Sequence, residues 1–350
     1  SGPDTLCLNK GNGVRYTTRA TNGSLFTWHI EGGEIVSGQN SPEIIVAWTE
    51  GLHRLWIEET SVTIDTVCKG TSEALKLLVF KDSTDIVMNY VSVDTADANI
   101  LYVDWEVTNA QAVEGREVHL YKKHPGVSSW NLLLTLDPFE TTIEDRVDFR
   151  SESILEYYLT LTTFCDLKLQ TSVHNNIFLT GKTDTSEVIR LNWNPYFEWP
   201  GGVDHYEVWR KTDSEAGYRF YANVSSFENS FSGEMADDAF QHRYVIRAVE
   251  ESGENDSWSN PVSFDFEHPV VIPNVITPNG DEFNERFHIS KIHLYSNSVL
   301  RIMDRWGKVV YHAVNYKNDW DGAGLSAGVY YYILDLKRDN KVYKGALTIW

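Results

Sequence analysis

The sequence predicts an all-β protein of four tandem β-sandwich-like domains in an elongated array. Short runs that alternate apolar and polar residues recur with turn residues between them, about every ten positions, which is typical of sandwiches. Aromatic residues make up 13% of the chain, and large aromatic side chains favour strands. No amphipathic helix of three or more turns is evident, and 350 residues exceed one small sandwich.

Charge and hydropathy exclude two kinds of interaction. The formal net charge is −20, and no stretch combines clustered Lys and Arg with aromatics, as a nucleic-acid partner requires. No apolar run approaches the ~18 residues of a membrane helix.

The chain begins Ser1-Gly2-Pro3-Asp4, without Met or an apolar segment, which indicates either a removed signal peptide or a fragment.

Residues 1–70 are predicted to form the first domain. Residues 26–30 and 44–48 alternate as strands, and the Gly32-Gly33 pair makes a tight turn because glycine accepts a positive φ. These strands resemble the PKD-type immunoglobulin-like modules of secreted proteins. The assignment of residues 71–87 stays open, because the apolar run within them is consistent either with a last strand or with a partly buried linker.

An internal repeat predicts the two middle domains, at 88–183 and 184–267. With an offset of 88 residues, three aromatic anchors recur in order: Trp105 as Trp193, Tyr121 as Trp209, and Trp130 as Tyr218. An apolar strand that ends in Trp and is followed by an aromatic strand resembles fibronectin type III, in which two facing sheets share one core. The second copy has an added turn at Trp199, which either folds back onto its own domain or is an exposed contact.

The three cysteines allow two arrangements. Cys7 and Cys68 flank the first strand-rich block, where the first and last strands of a sandwich can lie side by side. We therefore predict a disulfide between them in an oxidising compartment, with free buried thiols as the alternative. Cys165 ends an apolar strand and is predicted to be a small core residue rather than a nucleophile.

Motifs for catalysis are missing from the sequence. It contains no Gly-x-Ser-x-Gly elbow, phosphate loop, His-Glu-x-x-His or Cys-x-x-Cys. The 11 His are scattered along the sequence. The carboxylates are so numerous that the sequence alone does not single out two of them as a glycosidase pair, which is defined by the distance between its carboxyl groups. We predict no catalytic residues, no cofactor other than the calcium considered below, and no enzymatic activity.

Residues 268–350 are predicted to form the last domain, after a linker that Pro269 keeps extended. Four turn-rich segments stand in order between short strands: Asn279-Gly280-Asp281, Arg305-Trp306-Gly307, Asp319-Trp320-Asp321-Gly322 and Gly328-Val329-Tyr330. This order resembles the gliding-motility-associated C-terminal domain of Bacteroidota, the type B sorting domain of the type IX secretion system.

The resemblance implies a non-enzymatic cell-surface protein, exported through the periplasm by the type IX translocon and its shuttle barrel. It further implies retention at the extracellular face of the outer membrane by a PorP/SprF-type barrel, and a gliding or adhesion role with another surface adhesin as a further partner. Two alternatives stay open. In the first, the chain is a secreted carbohydrate-binding or hydrolytic protein with the same export domain. In the second, it is a structural component of the secretion and motility apparatus.

The terminal domain also supplies the predicted partner-binding residues: Arg305, Trp306, Gly307, Tyr343, Lys344, Thr348 and Trp350. An aromatic-rich edge hairpin is suited to strand addition or to docking in the mouth of a barrel. For Trp306 two readings stay open. Either its ring packs in the core with Arg305 stacked on an aromatic face, or both residues are presented for recognition.

A calcium site is predicted in the first turn-rich segment. Asn279, Asp281, Asn284 and Glu285 cluster oxygen ligands, which hard cations prefer. Glu282 stands where the resembled family usually has Gly, which argues against a compact cation loop. A hydrogen-bonded Asx turn is the alternative.

Overall fold

The computed structural model describes residues 1–19, 23–62, 66–109, 112–151, 153–183, 188–234 and 238–350. Strands are the main secondary structure of the described chain, which confirms the all-β prediction. Two short 3₁₀ turns, Leu8–Lys10 and Ile292–Leu294, are the helical elements with described bounds. Among the described helices, none is long and apolar enough to cross a membrane.

Module 1 is a two-sheet sandwich. Its strands are β1 (Thr5–Cys7), β2 (Val14–Thr17), β3 (Leu25–Glu31), β4 (Glu34–Ser37), β5 (Glu43–Ala47), β6 (Gly51–Val62), β7 (Val67–Thr71) and β8 (Leu75–Phe80). One sheet has the order β1-β8-β6-β3 with β7 also on β6, and the other has the order β2-β5-β4. Because β8 pairs with β1 and β6 and buries Leu77 and Val79, module 1 extends beyond residue 70 to Phe80.

Module 2 has a three-stranded and a five-stranded sheet. Its strands are β9 (Ile86–Val93), β10 (Ile100–Val107), β11 (Val118–Lys123), β12 (Asn131–Leu136), β13 (Thr142–Arg146), β14 (Glu156–Thr162), β15 (Lys168–Gln170) and β16 (His174–Asn175). The sheet orders are β13-β10-β9 and β12-β11-β14-β15, with β16 also on β14. Trp105 of β10 is fully buried between the two sheets.

Module 3 repeats this arrangement strand for strand. Its strands are β17 (Leu179–Thr183), β18 (Val188–Trp193), β19 (Val203–Thr212), β20 (Arg219–Ser225), β21 (Ser230–Glu234), β22 (Gln241–Glu250), β23 (Asp256–Trp258) and β24 (Val262–Asp265). The sheet orders are β17-β18-β21 and β20-β19-β22-β23, with β24 on β22. Trp193, the repeat partner of Trp105, is likewise buried.

The predicted border between the middle domains was wrong. Strand β17 pairs with β18, with Leu179 opposite Trp193, so residues 179–183 belong to module 3 rather than to module 2. The aromatic offset of 88 aligned the later strands but carried no information on the first strand of each module. The predicted start at residue 184 lies outside the described residues.

Module 4 is built on one sheet. Its strands are β25 (Val275–Ile276), β26 (Val299–Met303), β27 (Val309–Val314), β28 (Gly328–Leu336) and β29 (Lys341–Ile349), in the order β25-β29-β28-β26-β27. Residues 277–298, with the short 3₁₀ turn Ile292–Leu294, and residues 315–327 contain no strand, and these segments supply buried Phe287, Ile289, Tyr316 and Trp320 to cover one face of the sheet. The second layer is therefore loops rather than strands.

The junction of modules 1 and 2 corrects the disulfide prediction. Cys7 is bonded to Cys165, with an S–S distance of 2.06 Å, whereas Cys68 is a free, exposed thiol on β7. Strand β7 pairs with the far half of β6, away from the β1–β8 edge where Cys7 lies. The bonded pair packs with Phe80 and Ala112, so Cys165 is buried as predicted but is not free.

At the junction of modules 2 and 3, Trp199 folds back onto its own module, so the exposed-contact reading is wrong, and it also reaches module 2. Its side chain is buried, and its indole N–H donates to the main-chain oxygen of Asn89 in module 2 at 2.6 Å. The ring packs on Tyr196, whose hydroxyl accepts a hydrogen bond from the N–H of Val91. Trp199 is therefore neither an exposed contact nor folded onto its own module alone, because it ties module 3 to β9.

Modules 3 and 4 also pack directly. Phe240 of module 3 inserts into the core of module 4, where its ring lies 4.9 Å from that of Tyr295. The Arg338 guanidinium lies 3.9 Å from the centre of the Phe240 ring and donates to Asp213. His268, in the predicted extended linker, is buried and contacts the main-chain oxygen of Ala239. The linker is thus part of a packed junction.

Candidate partner-binding surface

The sheet of module 4 has one covered and one uncovered face. Side chains alternate across a strand, so Leu334 and Leu336 of β28 enter the core while Tyr331 and Ile333 point to the opposite side. The outward residues form what we call the open face: Val299, Arg301, Met303, Val309, His312, Val314, Val329, Tyr331, Ile333, Asp335, Val342, Lys344, Ala346 and Thr348.

Strand register arranges the open face in rows that cross the sheet. Met303 stands opposite Tyr331, which stands opposite Ala346. In the next row, Arg301 is opposite Ile333, which is opposite Lys344. Cross-strand neighbours of this kind lie about 5 Å apart, so the rows make one continuous surface.

The open face is largely apolar. Five of its aliphatic or aromatic side chains are about half exposed: Val309, Val314, Val329, Tyr331 and Val342. Monomeric proteins seldom leave a contiguous apolar patch of this kind uncovered, and such patches mark interaction sites. The face therefore has the composition of a docking surface.

The charge of module 4 differs from that of the rest of the chain. Residues 270–350 contain ten Lys and Arg against eight Asp and Glu, a net charge of +2. Since the whole chain carries −20, the preceding residues carry −22. On the open face, Arg301 and Lys344 flank Ile333, and Asp335 is the only carboxylate. The centre of the open face is therefore cationic within an acidic protein.

The Arg305-Trp306-Gly307 turn joins β26 to β27. One carboxylate oxygen of Asp304 accepts the N–H groups of Trp306 and Lys308, both at 2.9 Å, and Gly307 supplies the positive φ of 82°. Trp306 is 86% exposed, so the reading that placed it in the core is wrong. The turn holds a large aromatic ring in solvent.

A second exposed aromatic lies at the same end of the sheet. Trp350 is 79% exposed and follows β29. Because β28 begins at Gly328 opposite Ile349, and Met303 pairs with Tyr331, the Trp306 turn and Trp350 share one end of the sheet. The opposite end carries Arg338 and faces module 3. Both Trp side chains are thus on the distal end of module 4.

The structure separates the seven predicted partner-binding residues. Lys344 and Thr348 lie on the open face, whereas residues 305–307 and Trp350 lie at the distal end. Tyr343 points the other way and packs against the core beside the junction with module 3. Arg301 and Tyr331 also lie on the open face but are not among the predicted residues, although alternation along β26 and β28 is a signal that could have placed them opposite the core.

The predicted calcium loop is closed by its own hydrogen bonds. One carboxylate oxygen of Glu285 accepts the N–H groups of Gly280 and Asp281, at 2.6 and 2.9 Å. A hydrogen bond from the Asn279 side chain lowers the pKa of the Asp281 carboxyl. Glu282 has a φ of 72°, a left-handed conformation that favours Gly.

This geometry has the Asx-turn form rather than an open ring of oxygens. The Asp281 carboxylate also accepts the N–H of Phe283, at 2.9 Å, so both acidic side chains already serve the loop backbone. Across the described ranges, no three His, Cys, Asp or Glu side chains converge as a metal site. Calcium binding by Asn279, Asp281, Asn284 and Glu285 stays a prediction.

The outward aromatics of module 2 are already engaged with one another. The rings of Tyr121 and Tyr158 stack at 4.8 Å, and Trp130 meets Tyr158 edge-on at 4.5 Å. The ammonium of Lys123 lies 4.5 Å from the centre of the Trp130 ring. Sugar stacking needs an open planar ring face, so this cluster gives the carbohydrate-binding alternative no specific support.

Comparison with known proteins assigns only the terminal part of the chain. Residues 270–349 match the family described as the CHU_C type IX secretion signal domain. Solved structures similar to the chain include the chicken CNTN1 FN1-FN3 domains, with 12% sequence identity, 74% of this chain and 95% of that chain covered, and a TM-score of 0.25. No curated protein is significantly similar to the chain. The two-sheet architecture of modules 2 and 3 follows from their own strand pairing.

Proposed function

We propose that this chain, which ends in a type IX secretion signal domain, is a non-enzymatic cell-surface protein with a gliding or adhesion role. The signal domain directs export by the type IX system to the cell surface. The observation that carries the proposal is the match of residues 270–349, which form a complete module with its own core.

Retention is the second part of the proposal. After passage through the translocon and its shuttle barrel, module 4 is held at the outer membrane by a PorP/SprF-type barrel. Its uncovered apolar face and the exposed Trp306 and Trp350 support a stable protein contact, since aromatic side chains dominate such interfaces. Modules 1 to 3 then extend from the anchored module 4.

The packed junctions support a spacer role for the upstream modules. A disulfide links modules 1 and 2, buried Trp199 links modules 2 and 3, and Phe240 links modules 3 and 4. Junctions of this kind restrict bending, unlike flexible linkers rich in Gly and Ser. Modules 1 to 3 thus serve as a stiff support that presents a surface to another adhesin.

Deletion of module 4 tests the proposal. The full chain and a chain that ends at residue 267 are expressed in a host with type IX secretion, and surface exposure is measured by protease accessibility on intact cells. We expect the full chain at the surface and in complexes with barrel proteins extracted from outer membranes, and the shortened chain in neither. Equal surface display of both chains would refute the proposal.

A further inference from the structure

We propose that the open face of module 4 is the surface that binds the retention partner, and that this partner is a protein with carboxylates opposite Arg301 and Lys344. The inference rests on the proposed function, because it names the contact by which module 4 is held. It shares Lys344 and Thr348 with the contact predicted from sequence and shifts the centre of that contact to Arg301 and Tyr331.

The residues at the centre of the open face have the chemistry of an interface core. Tyr331 and Arg301 lie in adjacent rows of the two middle strands, β28 and β26. Tyr, Trp and Arg are the residues that most often supply the binding energy of protein interfaces. The surrounding Val and Met side chains then exclude water from the contact.

Charge specifies the chemistry of the partner. Arg301 and Lys344 flank Ile333, so two cations stand within an apolar surface. Burying two cations without counter-charges is costly, so we expect the partner to bring carboxylates to the same place. The acidic upstream residues, at −22, repel an anionic partner, which favours its approach from the side of module 4.

The shape of the open face favours a protein over a lipid surface. Amphipathic elements that bind lipid insert a protruding apolar side into the headgroup region. The open face is instead a sheet surface in which half-exposed Val side chains lie on both sides of the row that carries Arg301 and Lys344. Its four strands, about 4.8 Å apart and five to nine residues long, are comparable with one side of a small protein interface.

Single charge reversals in the full chain test this inference. Arg301→Glu and Lys344→Glu change the open face, and Lys317→Glu is the matched control because Lys317 is exposed on the loop that covers the other side of the sheet. The probes are native outer membranes, the same membranes after protease treatment, and protein-free vesicles of their extracted lipids. Bound chain is measured by sedimentation over a range of chain and salt concentrations.

We expect saturable binding of the unchanged chain and of Lys317→Glu to native membranes only, weakened by salt. Arg301→Glu and Lys344→Glu should each weaken binding at least about tenfold, while the thermal unfolding midpoint stays unchanged. Benzophenone placed at Val342 should cross-link to one outer-membrane barrel, and benzophenone at Phe227 of module 3 should not.

Three results would overturn the inference. Equal binding by Arg301→Glu would show that the open face is not the contact. Equal binding to protein-free vesicles would make the contact a lipid one, and a cross-link between two copies of the chain would make it self-association. If the unchanged chain fails to bind native membranes at all, the proposed retention fails as well, which separates the two proposals.

Discussion

The indole N–H of Trp199 in module 3 lies 2.6 Å from the main-chain oxygen of Asn89 in module 2. The Trp199 ring also lies 4.2 Å, centre to centre, from that of Tyr196, whose hydroxyl binds the N–H of Val91. Ser257 adds a hydrogen bond to the oxygen of Val91, at 2.7 Å. Modules 2 and 3 therefore share hydrogen bonds along β9, and we expect them to unfold together.

Truncation of Trp199 should uncouple the two modules. Trp199→Ala removes a buried ring and should lower the free energy of unfolding by about 3–5 kcal/mol. Trp199→Phe keeps most of the ring area but leaves the Asn89 oxygen without its donor, which should cost about 1–3 kcal/mol. Calorimetry measures the effect, and Trp306→Ala is the control because that ring is already in solvent. An unchanged unfolding profile for Trp199→Ala would contradict the prediction that Trp199 couples modules 2 and 3.

The cysteine pairing makes a second prediction. Without reduction, a maleimide should label one thiol in the folded chain, Cys68, and peptide mapping should recover Cys7 joined to Cys165. Cys7→Ser should lower the free energy of unfolding by about 2–5 kcal/mol, because the bond closes a loop of 158 residues. Cys68→Ser should have no effect. A mapped Cys7–Cys68 peptide would restore the pairing predicted from sequence.

Sequence alone predicted the features that depend on local pattern. Alternation identified the strands, and the repeat of Trp105 at Trp193 identified two sandwiches whose anchors are both buried. The order of turns in the terminal domain pointed to the family that residues 270–349 match. Each of these signals is contained within one strand, one turn or one repeat.

Contacts between modules were not predictable in the same way. The partner of Cys7 lies 158 residues away in another module, and no spacing rule distinguishes it from the nearer Cys68. Neither sequence interpretation of Trp199, fold-back onto its own domain or an exposed contact, includes Asn89, because a single sequence gives no sign that Asn89 is adjacent. These features follow from packing between elements distant in sequence.

Burial of His174 predicts acid sensitivity at the same junction. Desolvation lowers the pKa of His174 from 6.5 to about 4, since its ring is buried, with Nδ1 3.1 Å from the Tyr196 hydroxyl and Nε2 3.2 Å from Ser172. Below pH 6.5 the unfolded chain binds a proton that the folded chain does not. The folded state should therefore lose stability as the pH falls from 6.5 to 4, by about 3 kcal/mol in total.

Chemical denaturation at several pH values measures this loss. His174→Asn should keep a polar side chain at the site and flatten the pH dependence between 6.5 and 4. His293→Asn is the control, because His293 lies in module 4, distant from this junction, and is exposed. An equally steep loss of stability in His174→Asn would assign the acid sensitivity to other groups.

The loop at residues 279–285 should be stable without calcium. One Glu285 oxygen already accepts the N–H groups of Gly280 and Asp281, so a cation that took this oxygen would leave two backbone donors without an acceptor. Glu285→Ala should lower the stability of module 4 by about 1–2 kcal/mol, with calcium or with chelator alike. Glu285→Gln keeps an acceptor oxygen and should cost less. The measurement is the thermal unfolding midpoint with millimolar calcium, magnesium or chelator. If calcium alone raised the midpoint, and Glu285→Ala abolished that increase, the metal site would be established.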